Sequence, residues 1–324
     1  MTLLEKKITF EKELIPGENA VLKFIGIEGY DVYNCSIPFD YKGKKYIYGR
    51  VEKPNEWARS RSMLFEETGK DIWTKVNNSM IYQIEDPFIS FIKDKLVLGG
   101  NFVFYREKGT FDTYQCLFYR GNDLEDMYFF AMGPDYMKDI RLVEMPNGKI
   151  GLFSRPRNNE IYEKFGTHST VGFTIINDLD ELNPRIVEEA RYIENIFQKD
   201  EWGGVNQAYY LENGMIGVIG HKACFLTEDT GNMAPMAYMN VSFVFDPNTY
   251  NVLDQKIIAT RKSFPEYRGK TSHIIDCAFA SGIIMRKDGK CDLYSGIGDS
   301  AEGRVVIDYP FEAYGKIIDF SEIK

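Results

Sequence analysis

The sequence predicts an all-β fold, a five-bladed β-propeller with its active-site pocket on the axis. Three observations predict it. First, a short hairpin recurs: FDYKGKKYIYGRVE from Phe39, SFIKDKLVLGGNFVF from Ser90, LVEMPNGKIGLFSRPR from Leu142, AYYLENGMIGVIGHKA from Ala208 and IIMRKDGKCDLYSGIGD from Ile283. The turns centre on Lys42-Gly43, Lys93-Asp94, Asn147-Gly148, Asn213-Gly214 and Asp288-Gly289. Asn-Gly and Asp-Gly mark hairpins because both central residues of such turns need positive φ. Second, Gly43, Asp94, Gly148, Gly214 and Gly289 follow one another at intervals of 51, 54, 66 and 75 residues. A hairpin unit repeating at that interval points to radial repetition. Third, aromatic residues make up 15% of the chain, with 21 Tyr and 23 Phe, which suits a β-rich fold.

The elements follow in order. Residues 1–20 read as an edge strand or arm, broken at Pro16-Gly17. WARSRSMLFEETGKDIWTKV continues the first unit, YQCLFYRG and MYFFAMGP finish the second, and STVGFTIIND finishes the third. In the next segment Leu179, Leu182, Ile186, Ala190, Ile193 and Ile196 recur at helix-like intervals. That spacing predicts a short helix starting near Pro184, or an irregular insertion. AYMNVSFVFDP and QKIIATRKSF build the fourth unit. RVVIDYPF completes the fifth or closes the ring with N-terminal strands. The 324 residues can bury a large core, and the hairpins are spread evenly with no linker between them, so one domain over 1–324 is expected.

Composition narrows the partners. A net charge of −9 argues against nucleic acid, whose phosphates call for basic surfaces. Cys35, Cys116, Cys224, Cys277 and Cys291 are widely spaced, odd in number and form no C-x-x-C, which suits buried thiols in a reducing compartment. No run approaches the ~18 apolar residues of a membrane helix. The charged start lacks a signal-peptide core. The expected location is the cytoplasm, without membrane contact.

Two polar positions recur in each unit. Asn34, Asp86, Asp139 and Asn206 precede the turn by eight or nine residues; the fifth unit departs, with Asp276 farther upstream. Arg50-Val51-Glu52, Arg155 and Arg157, His221-Lys222 and Asp299 follow the hairpins, and the second unit has Asn101 there. In a propeller the innermost strands line the axis, so these side chains would converge on one pocket. They could equally cap strand ends or bond one unit to the next. Glu85-Asp86-Pro87 interrupts a strand, and adjacent strand residues face opposite ways, so one carboxylate faces the axis. A shielded carboxyl there would have a raised pKa and serve as a general acid. Arg50, Arg59, Arg61, Arg155 and Arg157, with His221 and Lys222, suit an anion pocket, since guanidinium groups bind phosphate bidentately. Surface salt bridging is the alternative for these residues, more so for Arg59 and Arg61 than for Arg155. His168, His221 and His273 are too scattered for a metal site, and no nucleotide or hydrolase motif occurs.

The order YNCS, GRVE with a downstream R-S-R, IEDP, FSRPR, Trp-Gly-Gly, GHK and SGIGD resembles glycoside hydrolase family 130, and more closely its relatives in glycosyltransferase family 108. These are five-bladed propellers, β-mannoside phosphorylases and β-1,2-mannosyltransferases. The resemblance implies Asp86 as general acid, and Asn34 and Arg50 as holders of the cleaved sugar. It makes Arg155 a phosphate ligand, His221 and Lys222 phosphate or sugar ligands, and Asp299 a partner of mannose hydroxyls. Arg157 is expected to join the phosphate site, and Glu85, Asn206 and Asp276 the sugar site. Phe88 stands where family 130 usually has Arg, and NCS replaces N-P-A, which favours the relatives. The expected reaction is inverting phosphorolysis of β-mannosides to α-mannose 1-phosphate, or its reverse. Inorganic phosphate is then a co-substrate, with no cofactor and no metal. A propeller-type glycoside hydrolase, with Glu52, Asp276 or Asp299 as base, and a non-catalytic carbohydrate-binding propeller are the alternatives.

Overall fold

The computed structural model describes residues 1–57, 59–105, 111–227 and 234–320. Among the described residues the strands organise into four sheets, and the largest consists of two antiparallel meanders. Meander I contains Asp31–Tyr33, Phe39–Tyr41, Lys44–Glu52, Arg61–Gly69 and Ile72–Lys75, with Lys23–Ile25 added in parallel at its edge. Meander II runs Glu85–Ile92, Lys95–Tyr105, Phe111–Gly121 and Tyr128–Met132. Meander III runs Arg141–Glu144, Ile150–Ser154, Gly172–Ile176 and Arg191–Tyr192. Meander IV runs Trp202–Tyr210, Ile216–Phe225, Met236–Phe245 and Val252–Ala259, and meander V runs Asp276–Met285, Cys291–Ile297 and Ala301–Ile307. IV and V form one sheet because Ala237 and Tyr238 pair in parallel with Asp276 and Cys277.

The core lies between meanders rather than within them. Phe88 and Val97 pack on Leu142 and Leu152 between II and III. Phe153 and Phe173 pack on Val218 and Phe243 between III and IV. Ile219 and Val244 meet Leu293 and Val305 between IV and V. Tyr48 and Leu64 meet Ile89 and Leu98 between I and II, and Val32, Ile47 and Phe65 meet Tyr294 between I and V. Each of these five apolar clusters joins one neighbouring pair, and the pairs close into a circle. Asn19–Val21 closes it by hydrogen bonds as well, because this N-terminal strand pairs antiparallel with Ala301–Ile307. RVVIDYPF therefore does both things its position allowed.

The turns divide into two kinds. Lys42-Gly43, Lys93-Asp94 and Asn147-Gly148 carry positive φ on both residues. In the other two only Gly214 and Gly289 do. There Leu211 N donates to Met215 O at 2.9 Å and Arg286 N to Lys290 O at 2.9 Å, closing three-residue loops, as Met145 N to Lys149 O at 2.8 Å does around Asn147-Gly148.

The N-terminus differs from the expected arm. Leu3–Glu13 is an α-helix. Thr2 accepts from Glu5 N while the Glu5 side chain accepts from Thr2 N, a capping box legible in the sequence as T-x-x-E. The segment around Pro184 is a short helix, Pro184–Glu188, with Asn183 accepting from Ile186 N. Among the described residues no helix is long and apolar enough to cross a membrane.

Candidate active site

The first strands of the meanders are interrupted or irregular at the recurring polar positions. Asn34, Asp86 and Asp139 have φ of 45°, 51° and 57°. This left-handed region is uncommon for L-residues, and Asn and Asp tolerate it best. Asp86 lies inside a register shift between Glu85 and Phe88, and Asn206 inside one between Val205 and Gln207. The extra residue of a bulge re-aims its side chain. Pro87, which has no N–H for the ladder, falls in the same bulge. The fifth first strand shifts register between Ala280 and Gly282. Ser281 therefore holds the equivalent place, rather than Asp276. Spacing carried the signal: Ser281 precedes Gly289 by 8 residues, as Asp86 precedes Asp94 and Asn206 precedes Gly214.

These positions meet residues of the second strands. Asp86 Oδ1 accepts from Asn34 Nδ2 and Arg50 Nη1, both at 2.9 Å, and Oδ2 from Asn101 Nδ2 at 3.5 Å. Asn34 Nδ2 also reaches Asp299 Oδ1 at 3.3 Å, so one amide bridges two carboxyls. Its Oδ1 lies against Gly296, where a Cβ would come within 1.8 Å of it. Arg50 pairs with Glu85 Oε2 at 3.0 Å, donates Nε to Ser60 Oγ at 2.7 Å, and covers the Tyr33 ring at 4.7 Å. Glu52, behind Arg50, is saturated: it accepts from Tyr33 OH at 2.5 Å, from Arg59 N at 2.7 Å and from Lys270. Lys138 pairs with Glu85.

A second cluster adjoins through Asn101, whose Nδ2 reaches Asp139 Oδ1 at 3.4 Å. Asp139 Oδ2 accepts from Arg155 Nη1 at 2.7 Å, and Arg155 Nε donates to Gly203 O at 2.9 Å. Asn206 Oδ1 lies 2.7 Å from His221 Nδ1, and the His221 ring packs on Phe279 at 4.6 Å. Arg157 is exposed and has no ion-pair partner among the described residues. It shares with Lys138 and Arg155 the wall of a cavity of about 230 Å³.

Two expected members lie elsewhere, and among the described residues two further Arg residues have no contact with the clusters above other than the Arg59 N–H on Glu52. Lys222, one residue beyond His221, points to the other face of its strand and pairs with buried Glu201 at 3.1 Å. Asp276 pairs with Lys7 of the N-terminal helix at 2.8 Å. Arg59 and Arg61 are exposed. Sequence reasoning did not single out Tyr33, Ser60, Lys138 or Lys270, because none lies at a recurring position. Among the described residues no cluster of three or more His, Cys, Asp or Glu could hold a metal ion.

Electrostatics separates the carboxyls. Burial pushes Asp86 upward, but Arg50 and then Lys138 outweigh it, and its pKa lies below the ordinary carboxylate value. The free protein holds Asp86 ionised, contrary to the raised pKa expected from its shielding. Burial raises Asp299, with Arg50 offsetting only part and Asp86 adding to the rise. Burial acts upward on Asp139 too, yet Arg155 and Arg141 hold it at about 2. Burial lowers His221 to about 3, so its imidazole is neutral at physiological pH. Desolvation and then the charge on Arg155 lower the pKa of Arg157. Beneath Asn34, burial lifts Glu302 to about 8. Glu302 accepts from Cys35 N at 3.0 Å and Ser281 Oγ at 2.8 Å.

Comparison with known proteins places this geometry in context. The family model described as a protein of unknown function, DUF1861, matches residues 8–313. MPT-4, a mannose phosphorylase from Leishmania mexicana solved in complex with phosphate ion, is 44% identical over 98% of this chain and 96% of its own, with a TM-score of 0.91. MPT-1, a GDP-Man-dependent mannosyltransferase from the same organism, is 43% identical over 98% of this chain and 99% of its own, with a TM-score of 0.90. A β-1,2-mannobiose phosphorylase from Listeria innocua is 15% identical over 87% of this chain and 91% of its own, with a TM-score of 0.62, a likeness of fold alone. No match is found among curated protein sequences. The chain belongs to the DUF1861 family, and with it to the group of mannoside phosphorylases and mannosyltransferases that its motif order resembles.

Proposed function

We propose that this chain is an inverting β-1,2-mannoside phosphorylase or mannosyltransferase, built as one domain whose five meanders are the blades of a propeller. The observation that carries the reading is one strained, Arg50-bound carboxyl, Asp86, linked through Asn101 and Asp139 to Arg155, which shares a cavity wall with Arg157, a guanidinium without an ion-pair partner among the described residues. Asn34, Arg50 and Asp299 surround the place for the transferred mannose. Arg155, Arg157 and His221 surround the place for phosphate. In phosphorolysis a phosphate oxygen forms the bond to C1 from the face opposite the aglycone. The C1–O bond breaks, the departing oxygen takes the proton of Asp86, and the β-linkage becomes α-mannose 1-phosphate.

The ionised form of Asp86 is the one the reverse step uses. As a carboxylate it can accept the proton of an acceptor hydroxyl while that oxygen attacks C1 and phosphate leaves toward the Arg residues. Phosphorolysis requires Asp86 to be protonated first. Hydrolysis would need a free carboxylate base. Glu52 is saturated and Asp276 is paired with Lys7, so only Asp299 remains, and burial holds it toward its neutral form.

The test is β-1,2-mannobiose with and without inorganic phosphate, assayed for mannose 1-phosphate. Product forms only with phosphate. Asp86→Asn lowers kcat by about 10²–10⁴-fold with an unchanged thermal midpoint. Arg157→Ala raises KM for phosphate about tenfold. Free mannose formed without phosphate would overturn the reading.

A further inference from the structure

Arg50 faces more carboxylates than one guanidinium can neutralise. Asp86 lies 2.9 Å from it, Glu85 3.0 Å and Glu52 3.5 Å. All four side chains are buried. An unpaired charge in such a place is costly. Two lysines bring the balancing charge from outside the strands. Lys138 pairs with Glu85, and Lys270 pairs with Glu52. Burial pushes the Glu52 carboxyl upward, but Arg50, Lys270 and Tyr33 together hold it below the ordinary value.

Lys270 belongs to the segment that links meander IV to meander V, between Ala259 and Asp276. It makes contacts on two sides. Its side chain, 5% exposed, crosses to meander I, where Nζ donates to Glu52 Oε2 and to Tyr33 OH at 3.1 Å. Tyr33 OH and Arg50 Nη2 converge on the same Oε2. Lys270 Nζ and the Arg50 guanidinium both lie over the Tyr33 ring, at 5.1 Å and 4.7 Å. On the other side, the Lys270 N–H donates to Gly298 O at 2.7 Å, in the turn that carries Asp299. That turn is left-handed at both residues, with φ of 58° at Gly298 and 50° at Asp299. An Asp in this conformation persists where its surroundings hold it. The same segment adds two more ties: Ser300 Oγ donates to Arg268 O, and Arg268 pairs with Asp31 of meander I. It packs so closely that a Cβ on Gly298 would come within 2.9 Å of Gly269 Cα.

Taking the mannosyl-transfer reading as its basis, we infer that Lys270 is a positioning residue for the transferred mannose. Its charge occupies Glu52 and so leaves Arg50 to Asp86. Its N–H fixes the Gly298-Asp299 turn. One residue thus sets two walls of the mannose seat, Arg50 from meander I and Asp299 from meander V. It is buried behind both and acts through them. Without its charge, Glu52 Oε2 draws the Arg50 guanidinium inward from 3.5 Å and lengthens the 2.9 Å contact with Asp86. The acid–base carboxyl then loses the cation that sets its position and its charge.

A double-mutant cycle of Lys270→Met and Glu52→Gln tests this, with β-1,2-mannobiose and phosphate as substrates and urea denaturation as the check on folding. Lys270→Met should lower kcat about 10–100-fold, with KM for phosphate within about twofold of wild type. In the Glu52→Gln background the same substitution should lower kcat by less than about threefold, since no surplus carboxylate then pulls on Arg50. An equal loss in both backgrounds marks a merely structural lysine and overturns the inference. So does a folded Lys270→Met with wild-type kcat. Lys270→Gln keeps an amide donor to Glu52 without the charge, and it takes the place of Lys270→Met in the cycle if that variant does not fold. Calorimetric titration of β-1,2-mannobiose into the same phosphate-free proteins separates the role of Lys270 from the reaction. Its Kd should follow the same pattern. Binding that follows the cycle without turnover sinks the reaction and keeps the role. Turnover without the coupling keeps the reaction and sinks the role. Neither binding nor turnover overturns both.

Discussion

The two ends of the first strands carry opposite solutions to the same packing problem. At the turn end the strands keep their ladders to the last residue and enclose a groove lined by Phe91, Leu142, Tyr210, Ile317 and Phe320. The C-terminal segment lies across it, with Ile318 N donating to Tyr210 O at 2.9 Å. At the other end the ladders break at Asp86 and Asn206, and charges replace apolar contacts. The turn-end groove is the larger, about 420 Å³ against 230 Å³ at the charged end. Size is therefore a poor guide here. The chemistry lies where regular pairing was given up, because a bulge or a left-handed Asn or Asp aims a polar group out of the ladder.

The strongest way to break this contrast is at Gly296. A methyl group there would come within 1.8 Å of Asn34 Oδ1 and displace the amide that bridges Asp86 and Asp299. Gly296→Ala should lower kcat by about 10²–10³-fold, since small misplacements at a reacting centre act at that scale. Wild-type kcat in this variant, measured beside its denaturation curve, would show that Asn34 does not set the geometry of Asp86.

Glu302 offers the next effect, on stability. Its carboxyl titrates near 4.5 in the unfolded chain and at about 8 when folded. Between those values the unfolded state is ionised while the folded state stays protonated, so stability falls as pH rises through the window. Glu302→Gln removes that loss and can still accept from Cys35 N and donate to Ser281. It should stabilise the protein by roughly 2–3 kcal/mol at pH 7 and by little at pH 4.5. Urea denaturation at the two pH values measures the difference, and an equal shift at both would contradict a neutral folded Glu302.

The smallest effect belongs to the turn end. Phe91 is 46% exposed in the larger groove. Phe91→Ala should leave kcat/KM within about twofold and lower stability by about 1 kcal/mol. A large loss of activity would move the chemistry to the wrong end of the strands.

Much of this was legible in the residues. The turns at Lys42-Gly43, Lys93-Asp94 and Asn147-Gly148 followed from local backbone preference, which acts over a few residues. The same spacing picked out Asn34, Asp86 and Asn206. It also pointed to Ser281, had residue type not drawn attention to Asp276. The N-terminal helix was misjudged although Thr2 and Glu5 spelled its cap. Lys138, Lys270 and Tyr33 were not legible, because they join the site through loops or from behind a functional residue, and such contacts leave no periodic trace.

The sequence by itself determined where the chain turns, which residues could tolerate left-handed backbone, and which polar types recur once per unit. These are properties of single residues and near neighbours. Tertiary structure alone decided which of those polar groups meet. It turned Lys222 toward Glu201 and Asp276 toward Lys7, and left Arg157 open beside Arg155. It also set the charge of Asp86. Burial and Arg50 oppose each other there, and their balance depends on a distance of 2.9 Å between residues 36 positions apart in the chain.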